Sequence, residues 1–176
     1  TAVAQFTVAD NGNLAFIPEE PYSLVFVDRS GAMRPVTSER HNFHHPLFSP
    51  DGERLLTDFT TETGRNVWLF DLRDGTLSRA TFDRDGHDGT WSPDGSLITY
   101  TAPKAGAGQQ ELVLLRKPPG SAEPAETLLA NPSLAYTGVW LRDGSAMLTT
   151  GLNLRRTSPS DSQQAETRSD LAINLN

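Results

Sequence analysis

The sequence predicts an all-β protein, a β-propeller or partial propeller of about four four-stranded antiparallel blades, the last one incomplete. One motif recurs: an apolar residue, a short polar step and an Asp-Gly or Asn-Gly turn, followed by an apolar run. Its copies lie at residues 48–52 and 91–95, with degenerate ones at 140–144 and 8–12. Asp-Gly and Asn-Gly supply the positive φ angles of tight hairpins. The turn glycines are 40, 43 and 49 residues apart, a period typical of propeller arrays.

The first two units each contain four predicted strands. The first unit, residues 1–37, has alternating apolar and polar residues at its start and many β-branched and aromatic residues later, as strands favour. Its predicted strands are 4–8, 14–17, 23–28 and 33–37. The second unit, residues 38–82, repeats this plan and ends in an Asp-Gly hairpin. Its predicted strands are 45–49, 54–59, 66–71 and 77–81.

The third and fourth units follow the same plan less regularly. Residues 83–130 form the third unit, with predicted strands at 88–92, 97–102, 110–116 and 126–130. Residues 131–176 form the fourth, with predicted strands at 136–141, 146–150 and 170–175. Between its last two strands, residues 153–169 are rich in Ser, Thr and Gln, a composition typical of flexible loops. A fourth strand is missing there, so one propeller unit over residues 1–176 is expected to end in an incomplete blade.

The motif residues themselves are predicted to be structural. The turn residues in question are Asp51, Gly52, Asp94, Gly95, Asp143 and Gly144. Ser49 and Ser92 precede prolines in these turns, so their hydroxyls are expected to hydrogen-bond the turn backbone. Trp91 and Trp140 occupy the same repeat position and are expected in blade cores. Trp68, in an alternating strand, is expected to be buried between blades.

Composition excludes several classes of function. The 22 acidic and 15 basic residues give a net charge of −7, which argues against a nucleic-acid partner because no broad phosphate-binding surface can form. No apolar run approaches the ~20 residues that a membrane-spanning helix needs. The absence of cysteine excludes disulfides and thiolate metal sites within these residues.

The repeated units resemble the blades of TolB-like β-propellers, which carry a Phe/Trp-Ser-Pro-Asp-Gly turn between their first two strands. Residues 48–52 and 91–95 match that pattern in full, whereas residues 140–144 lack its Ser-Pro. Residues 24–31 also resemble the first-blade segment of a bacterial subset, in which the propeller often follows a serine/threonine kinase domain and a membrane helix. The resemblance implies a periplasmic or otherwise extracytoplasmic module that serves as a binding platform, a sensor or a substrate gate.

The number of blades departs from this family. Such propellers usually close with six or more blades, whereas this chain has about four. The edge of an unfinished blade is free to pair with another strand. Three explanations stay open: a fragment of a longer propeller, two chains forming an eight-bladed ring, or four blades that close tightly with residues 1–4 at the missing edge. We expect self-association or pairing with the missing blades.

Histidine and acidic residues come just before the first strands of two consecutive units. In a propeller these segments open onto the central channel, so His44, His45, His87 and Asp88 are predicted to share one mouth, with Tyr136 joining them. Imidazole and carboxylate groups together suit zinc, but no pair has a helical or other tight metal-binding spacing. We therefore expect a site for a protein or small ligand, without a metal or another cofactor.

The sequence offers no signature of catalysis. It contains no Gly-x-Ser-x-Gly elbow and no Gly-rich phosphate loop between a strand and a helix. We therefore predict a non-catalytic binding or interaction module of a larger bacterial sensor or scaffold protein. The alternative is the propeller of a serine peptidase, gating substrates for a hydrolase domain outside this chain. A hydrolase sequence downstream in the gene would favour the peptidase, and a kinase with a membrane helix upstream would favour the sensor.

Overall fold

The computed structural model describes residues 6–8, 14–16, 22–83, 85–106, 111–130, 137–150 and 170–174. These residues form fifteen strands in two compact units, Thr1–Asn42 and Phe43–Asn176. All fifteen lie within a few residues of the positions predicted from the turn motifs and alternation. The described residues contain no helix that is long and apolar enough to cross a membrane.

The first unit contains two hairpins. Strand β1 (Phe6–Val8) pairs antiparallel with β2 (Leu14–Phe16), and β3 (Tyr22–Val27) pairs antiparallel with β4 (Met33–His41). In the described part of this unit the hairpins are separate two-stranded sheets, whereas the sequence predicts one four-stranded blade. Strand β4 is also longer than predicted, because a register shift between Ser23 and Val25 lets its last residues pair with the start of β3.

The second compact unit, Phe43–Asn176, contains three sheets, which we call blades 2, 3 and 4. Blade 2 has the strand order β5-β6-β7-β8, blade 3 the order β9-β10-β11-β12, and blade 4 the order β13-β14-β15. Within each blade, neighbouring strands are antiparallel. In blade 2 the strands are β5 His44–Phe48, β6 Arg54–Thr61, β7 Gly64–Asp71 and β8 Leu77–Arg79. In blades 3 and 4 they are β9 His87–Trp91, β10 Ile98–Pro103, β11 Leu112–Lys117, β12 Glu126–Ala130, β13 Val139–Trp140, β14 Ala146–Thr150 and β15 Asp170–Asn174.

The recurring turns have the conformation that their sequence predicts. Gly52, Gly95 and Gly144 have φ angles of 73°, 71° and 72°, in the left-handed region where only glycine lacks a steric penalty. In the first turn the Ser49 hydroxyl donates to Asp51 Oδ1 over 2.5 Å, and Asp51 Oδ1 also accepts from the backbone N–H two residues later over 3.0 Å. The motif is therefore a small hydrogen-bonded unit that fixes each hairpin.

Blades 2 and 3 pack face to face. Leu56 and Val67 of blade 2 share a buried core with Trp91, Ile98 and Tyr100 of blade 3. The Trp91 indole N–H donates to the Leu47 carbonyl oxygen of blade 2 over 3.2 Å. The expected core position of Trp91 is confirmed, since its exposed fraction is 5%. The apolar faces of these two neighbouring sheets thus share one core, as in repeat architectures.

The contact between blades 3 and 4 is smaller. Leu114 and Met147 are fully buried against each other, and Trp140 packs against them. The Trp140 indole N–H donates to Thr99 Oγ1 of blade 3 over 3.2 Å, so this ring bridges two blades and keeps a partly exposed edge. Trp68, expected to be buried between blades, is also partly exposed and stacks on Phe59 of its own blade, with ring centroids 4.8 Å apart.

Candidate functional site

One end of blades 2 and 3 gathers charged side chains. Because antiparallel strands alternate in direction, the start of β5, the end of β6 and the start of β7 lie at the same end of blade 2. The start of β9 joins them, because β9 packs against β6 and β7. Five residues meet there, and we call them the His–Asp cluster: His45, Asp58, Arg65, His87 and Asp88.

The Asp88 carboxylate lies at the centre of the cluster. Its Oδ2 accepts a hydrogen bond from His87 Nδ1 over 2.9 Å, and its Oδ1 lies 3.0 Å from His45 Nδ1. Two of the three histidines predicted to face one mouth, His45 and His87, therefore contact the same carboxylate. The side chain of His45 is 62% exposed, whereas those of His87 and Asp88 are 18% and 10% exposed. His45 is thus the accessible member above a buried acid.

Asp58 is the second acid of the cluster. Its side chain is 1% exposed, and its Oδ2 accepts a hydrogen bond from Arg65 Nε over 2.5 Å. Its Oδ1 accepts from the Asp88 backbone N–H over 3.3 Å and lies 3.7 Å from His45 Nδ1. Burial of a carboxylate is costly unless it is paired, so Arg65 stabilises the charge of Asp58.

Sequence reasoning missed Asp58 and Arg65. Asp58 lies inside the apolar run at residues 55–59, and a charged residue in such a buried strand was the available signal. Arg65 had no comparable signal, because it faces Asp58 only through the register that pairs β6 with β7. Nonlocal pairing of this kind cannot be derived from spacing along the chain.

The backbone at the cluster is strained. His45, Asp85 and Asp88 have φ angles of 48°, 53° and 55°, and they are the non-glycine residues with positive φ in the described part of the chain. Asp85 belongs to the same region, because its Oδ1 accepts from the Arg65 backbone N–H over 3.2 Å. Each such conformation costs about 1–3 kcal/mol, and surrounding contacts must hold it in place.

The ionisation of Asp88 follows from these contacts. Burial raises the pKa of its carboxyl, but the hydrogen bond from His87 and the charges of His87, His45 and Arg65 lower that pKa more strongly. The net effect holds the pKa of Asp88 below its usual value. Asp88 is therefore a carboxylate at neutral pH, even though it is nearly buried.

A buried tyrosine anchors the segment that leads into β9. The Tyr100 hydroxyl donates a hydrogen bond to Asp83 Oδ2, and the Tyr100 ring is fully buried in the core of blades 2 and 3. Burial, together with this hydrogen bond and the charge of Asp83, raises the pKa of Tyr100. The phenol therefore stays protonated and keeps donating, which positions the chain just before His87 and Asp88.

The other predicted mouth residues lie at the border of the cluster or outside the described part of the structure. The His44 ring centroid lies 6.4 Å from that of His45, and the His44 carbonyl oxygen accepts from the Thr57 hydroxyl over 2.9 Å. His44 thus borders the cluster and fixes the start of β5 on β6. Tyr136 lies outside the described residues.

The predicted turn residues lie at the opposite end of the blades. A groove of about 430 Å³ runs between the turns of blades 3 and 4, and its lining includes Asp94, Asp143 and Gly144. Both carboxylates are engaged in their own turns: Asp94 accepts from Ser92 Oγ over 2.6 Å, and Asp143 accepts from Ser145 Oγ over 2.7 Å. This end is therefore built from turn structure, as the motif predicts.

No family model matches the chain, but its structure resembles those of known propellers. TolB from Acinetobacter baumannii superposes with a TM-score of 0.65 at 15% identity, over 97% of this chain and 46% of that one. The β-propeller domain of the Trilobed protease from Pyrococcus furiosus gives a TM-score of 0.53 at 14% identity, over 94% and 52%. An oligogalacturonate lyase in complex with manganese gives 0.54 at 19% identity, over 70% and 34%.

These likenesses show the fold. The chain has a TolB-like β-propeller fold, in agreement with the Ser-Pro-Asp-Gly turns and the four-stranded antiparallel sheets. It spans about half the length, or less, of the solved structures that it resembles. The same fold serves unrelated activities in these neighbours, so function must be argued from the site.

Proposed function

We propose that this chain is a non-catalytic binding module of a larger bacterial sensor or scaffold protein, and that a peptide segment of a partner protein contacts the His–Asp cluster. The exposed His45 ring would make the first contact, and the buried acids would fix its orientation. Loops and strand ends on a rigid scaffold are where binding residues concentrate.

The observation that carries this proposal is the strained backbone. The three non-glycine residues with positive φ in the described ranges all lie in or beside the cluster, at His45, Asp85 and Asp88. Strain of this kind is costly and tends to occur where function requires a particular side-chain placement. His45 and Asp88 lie in β5 and β9, beside register shifts in the pairing of those strands. A purely structural irregularity there could use glycine, as the hairpin turns at the other end do.

The contacts of the motif serines support a role without catalysis. Ser49 and Ser92 are nearly buried, and each hydroxyl is hydrogen-bonded to the turn aspartate that follows it, Asp51 or Asp94. A nucleophilic serine needs a base and access to substrate, and these hydroxyls are engaged in fixing a turn. The cluster itself consists of acids, imidazoles and one guanidinium group. Within the described residues, none of its ion pairs or side-chain hydrogen bonds involves a serine hydroxyl.

The proposal is tested by selecting binders from a random dodecapeptide display library on the folded chain. Affinities of the selected peptides are then measured by calorimetry for the wild type and for His45→Gly, which removes the exposed imidazole at a φ angle that glycine adopts freely. We expect binding to weaken about tenfold or more, because an anchor at the centre of an interface carries much of its energy.

The matched control is Arg73→Gln. Arg73 pairs with Asp71 and Glu53 at the opposite end of blade 2, so its replacement changes surface charge without touching the cluster. Peptides that bind Arg73→Gln as tightly as the wild type, and His45→Gly weakly, support the proposal. Failure to select any peptide, or equal binding to wild type and His45→Gly, contradicts it.

The role of the surrounding polypeptide is a separate part of the proposal. The likeness to a protease propeller rests on 14% identity and carries the fold alone, so it does not favour a peptidase gate over a sensor. The complete reading frame distinguishes the two. A kinase and a membrane helix upstream agree with the sensor, whereas an α/β-hydrolase sequence downstream assigns the chain to a peptidase.

A further inference from the structure

We propose that the His–Asp cluster binds one divalent transition-metal ion through His45 Nδ1 and the carboxylates of Asp58 and Asp88. Ligand atoms of these three residues all lie within 4.8 Å of one another. The inference deepens the proposed function, because it rests on the same cluster and names an ion that would help to hold the partner there. It reverses the expectation from the sequence, which considered only spacing along the chain and did not include Asp58.

A second observation concerns the Asp88 oxygen that faces His45. Asp88 Oδ1 is a buried oxygen that accepts no hydrogen bond from the described residues, although His45 Nδ1 is only 3.0 Å away. The two atoms are close enough for an ion pair, but this oxygen accepts no hydrogen bond from the ring. Buried carboxylate oxygens normally accept at least one hydrogen bond, and burying one that accepts none is costly. A metal ion between the two atoms would satisfy both.

The distances suit shared coordination. Two donor atoms that are each about 2.1 Å from one ion lie about 3.0 Å apart at a right angle and about 3.4 Å apart at the tetrahedral angle. His45 Nδ1 lies 3.0 Å from Asp88 Oδ1 and 3.7 Å from Asp58 Oδ1. Both separations are those of neighbouring ligands on one ion, with only small adjustments of the exposed His45 ring.

The outer oxygens of both acids are already held by other residues. Arg65 Nε donates to Asp58 Oδ2, and His87 Nδ1 donates to Asp88 Oδ2 over 2.9 Å. These bonds orient each carboxylate so that its Oδ1 faces His45. Hydrogen bonds of this kind to metal ligands are a regular feature of metal sites, and their loss typically weakens metal binding by about 10–100-fold.

The net charge of the cluster favours binding of a divalent cation. Asp58 and Asp88 contribute two negative charges and Arg65 one positive charge, so the cluster with neutral imidazoles carries a net charge of −1. Arg65 Nη2 also lies 3.7 Å from Asp88 Oδ1 and is the competing cation that a metal must displace from this oxygen. One imidazole with two carboxylates is a donor set for Zn²⁺ and similar ions rather than for Mg²⁺.

The test is calorimetric titration of the chelator-treated, tag-free chain with ZnCl₂, and in parallel with MgCl₂. We expect one equivalent of Zn²⁺ to bind, together with a rise in melting temperature, and no comparable effect of Mg²⁺. His45→Gly should weaken Zn²⁺ binding at least about tenfold while folding normally, because position 45 is exposed. Asp88→Asn, which tolerates positive φ, should weaken it as well.

His41→Gln is the matched control. His41 is one of four histidines in the chain, and its Nε2 pairs with Glu39 Oε2 over 2.9 Å. Zn²⁺ binding that persists in His41→Gln and is lost in His45→Gly supports the inference. Absence of Zn²⁺ binding, or equal binding by wild type and His45→Gly, overturns it. If selected peptides still bind in the absence of any metal affinity, the metal inference fails and the proposed function stands.

Discussion

At the scale of single residues, one short motif explains most of the regularity of this chain. In the Asp94 turn, the carboxylate accepts from the Ser92 hydroxyl over 2.6 Å and from the Ser96 backbone N–H over 3.0 Å. Gly95 closes the turn at a φ of 71°. The serine, the aspartate and the glycine each have a distinct local role, which is why the motif can be recognised from sequence alone.

The first prediction concerns the ionisation of the Asp94 turn. The hydrogen bond from Ser92, together with those from Ser96, lowers the pKa of Asp94 from 3.8 to about 2. A carboxyl whose pKa is lower in the folded state stabilises the fold above its unfolded pKa, and this contribution is lost as pH falls through the folded pKa. Stability should therefore decline between about pH 4 and pH 2.

Carbon-detected NMR of the Asp94 carboxyl measures this directly, with an expected midpoint near 2. The Asp94→Asn variant should have a flatter dependence of unfolding free energy on pH in the same window, because the titrating group is gone. A midpoint for Asp94 at its ordinary value would show that the turn hydrogen bonds are absent in solution.

At the scale of strands and blades, close packing depends on Gly89. This residue lies in β9 where that strand crosses the face of blade 2, and a Cβ atom added there would be 2.8 Å from Val67 Cγ1 and 3.6 Å from Leu56 Cδ1. Val67 and Leu56 are both fully buried. Blade 3 can therefore approach blade 2 closely only because position 89 has no side chain.

The second prediction concerns this contact. Gly89→Ala should lower the free energy of unfolding by about 1–3 kcal/mol, the usual cost of overpacking a well-packed core. Denaturant unfolding of Gly89→Ala, Val67→Ala and the double variant measures it. Because Val67→Ala makes space for the new methyl group, the double variant should be more stable than the sum of the single effects predicts. Strictly additive effects would contradict the close approach.

At the scale of the whole molecule, the sequence was sufficient to predict the fold. It was sufficient to predict only part of the candidate site. Turn glycines and alternating apolar residues mark strand ends locally, so each strand lies close to its predicted position; β6, for example, was predicted at 54–59 and runs Arg54–Thr61. The convergence of His45, His87 and Asp88 followed from repeat position. Asp58 and Arg65 could not be placed, because their contacts depend on strand register and on the packing of β9 over blade 2.

Two features at this scale depend on more than local sequence. The first unit was predicted as one four-stranded blade, and its described residues form two separate hairpins. Pairing between hairpins is a nonlocal choice that turn signals do not specify.

Self-association stays a prediction, for which sedimentation velocity is the appropriate measurement.

We propose that the binding surface is the end of blades 2 and 3 that carries the His–Asp cluster. Hydrogen–deuterium exchange of the wild-type chain, with and without a selected peptide, tests it most directly, because backbone protection reports where a partner lies. We expect added protection at residues 43–45, 62–66 and 85–89, and unchanged exchange in the turns at 49–53, 72–76 and 92–97. Protection confined to those turns, with none around His45 and Asp88, would contradict it.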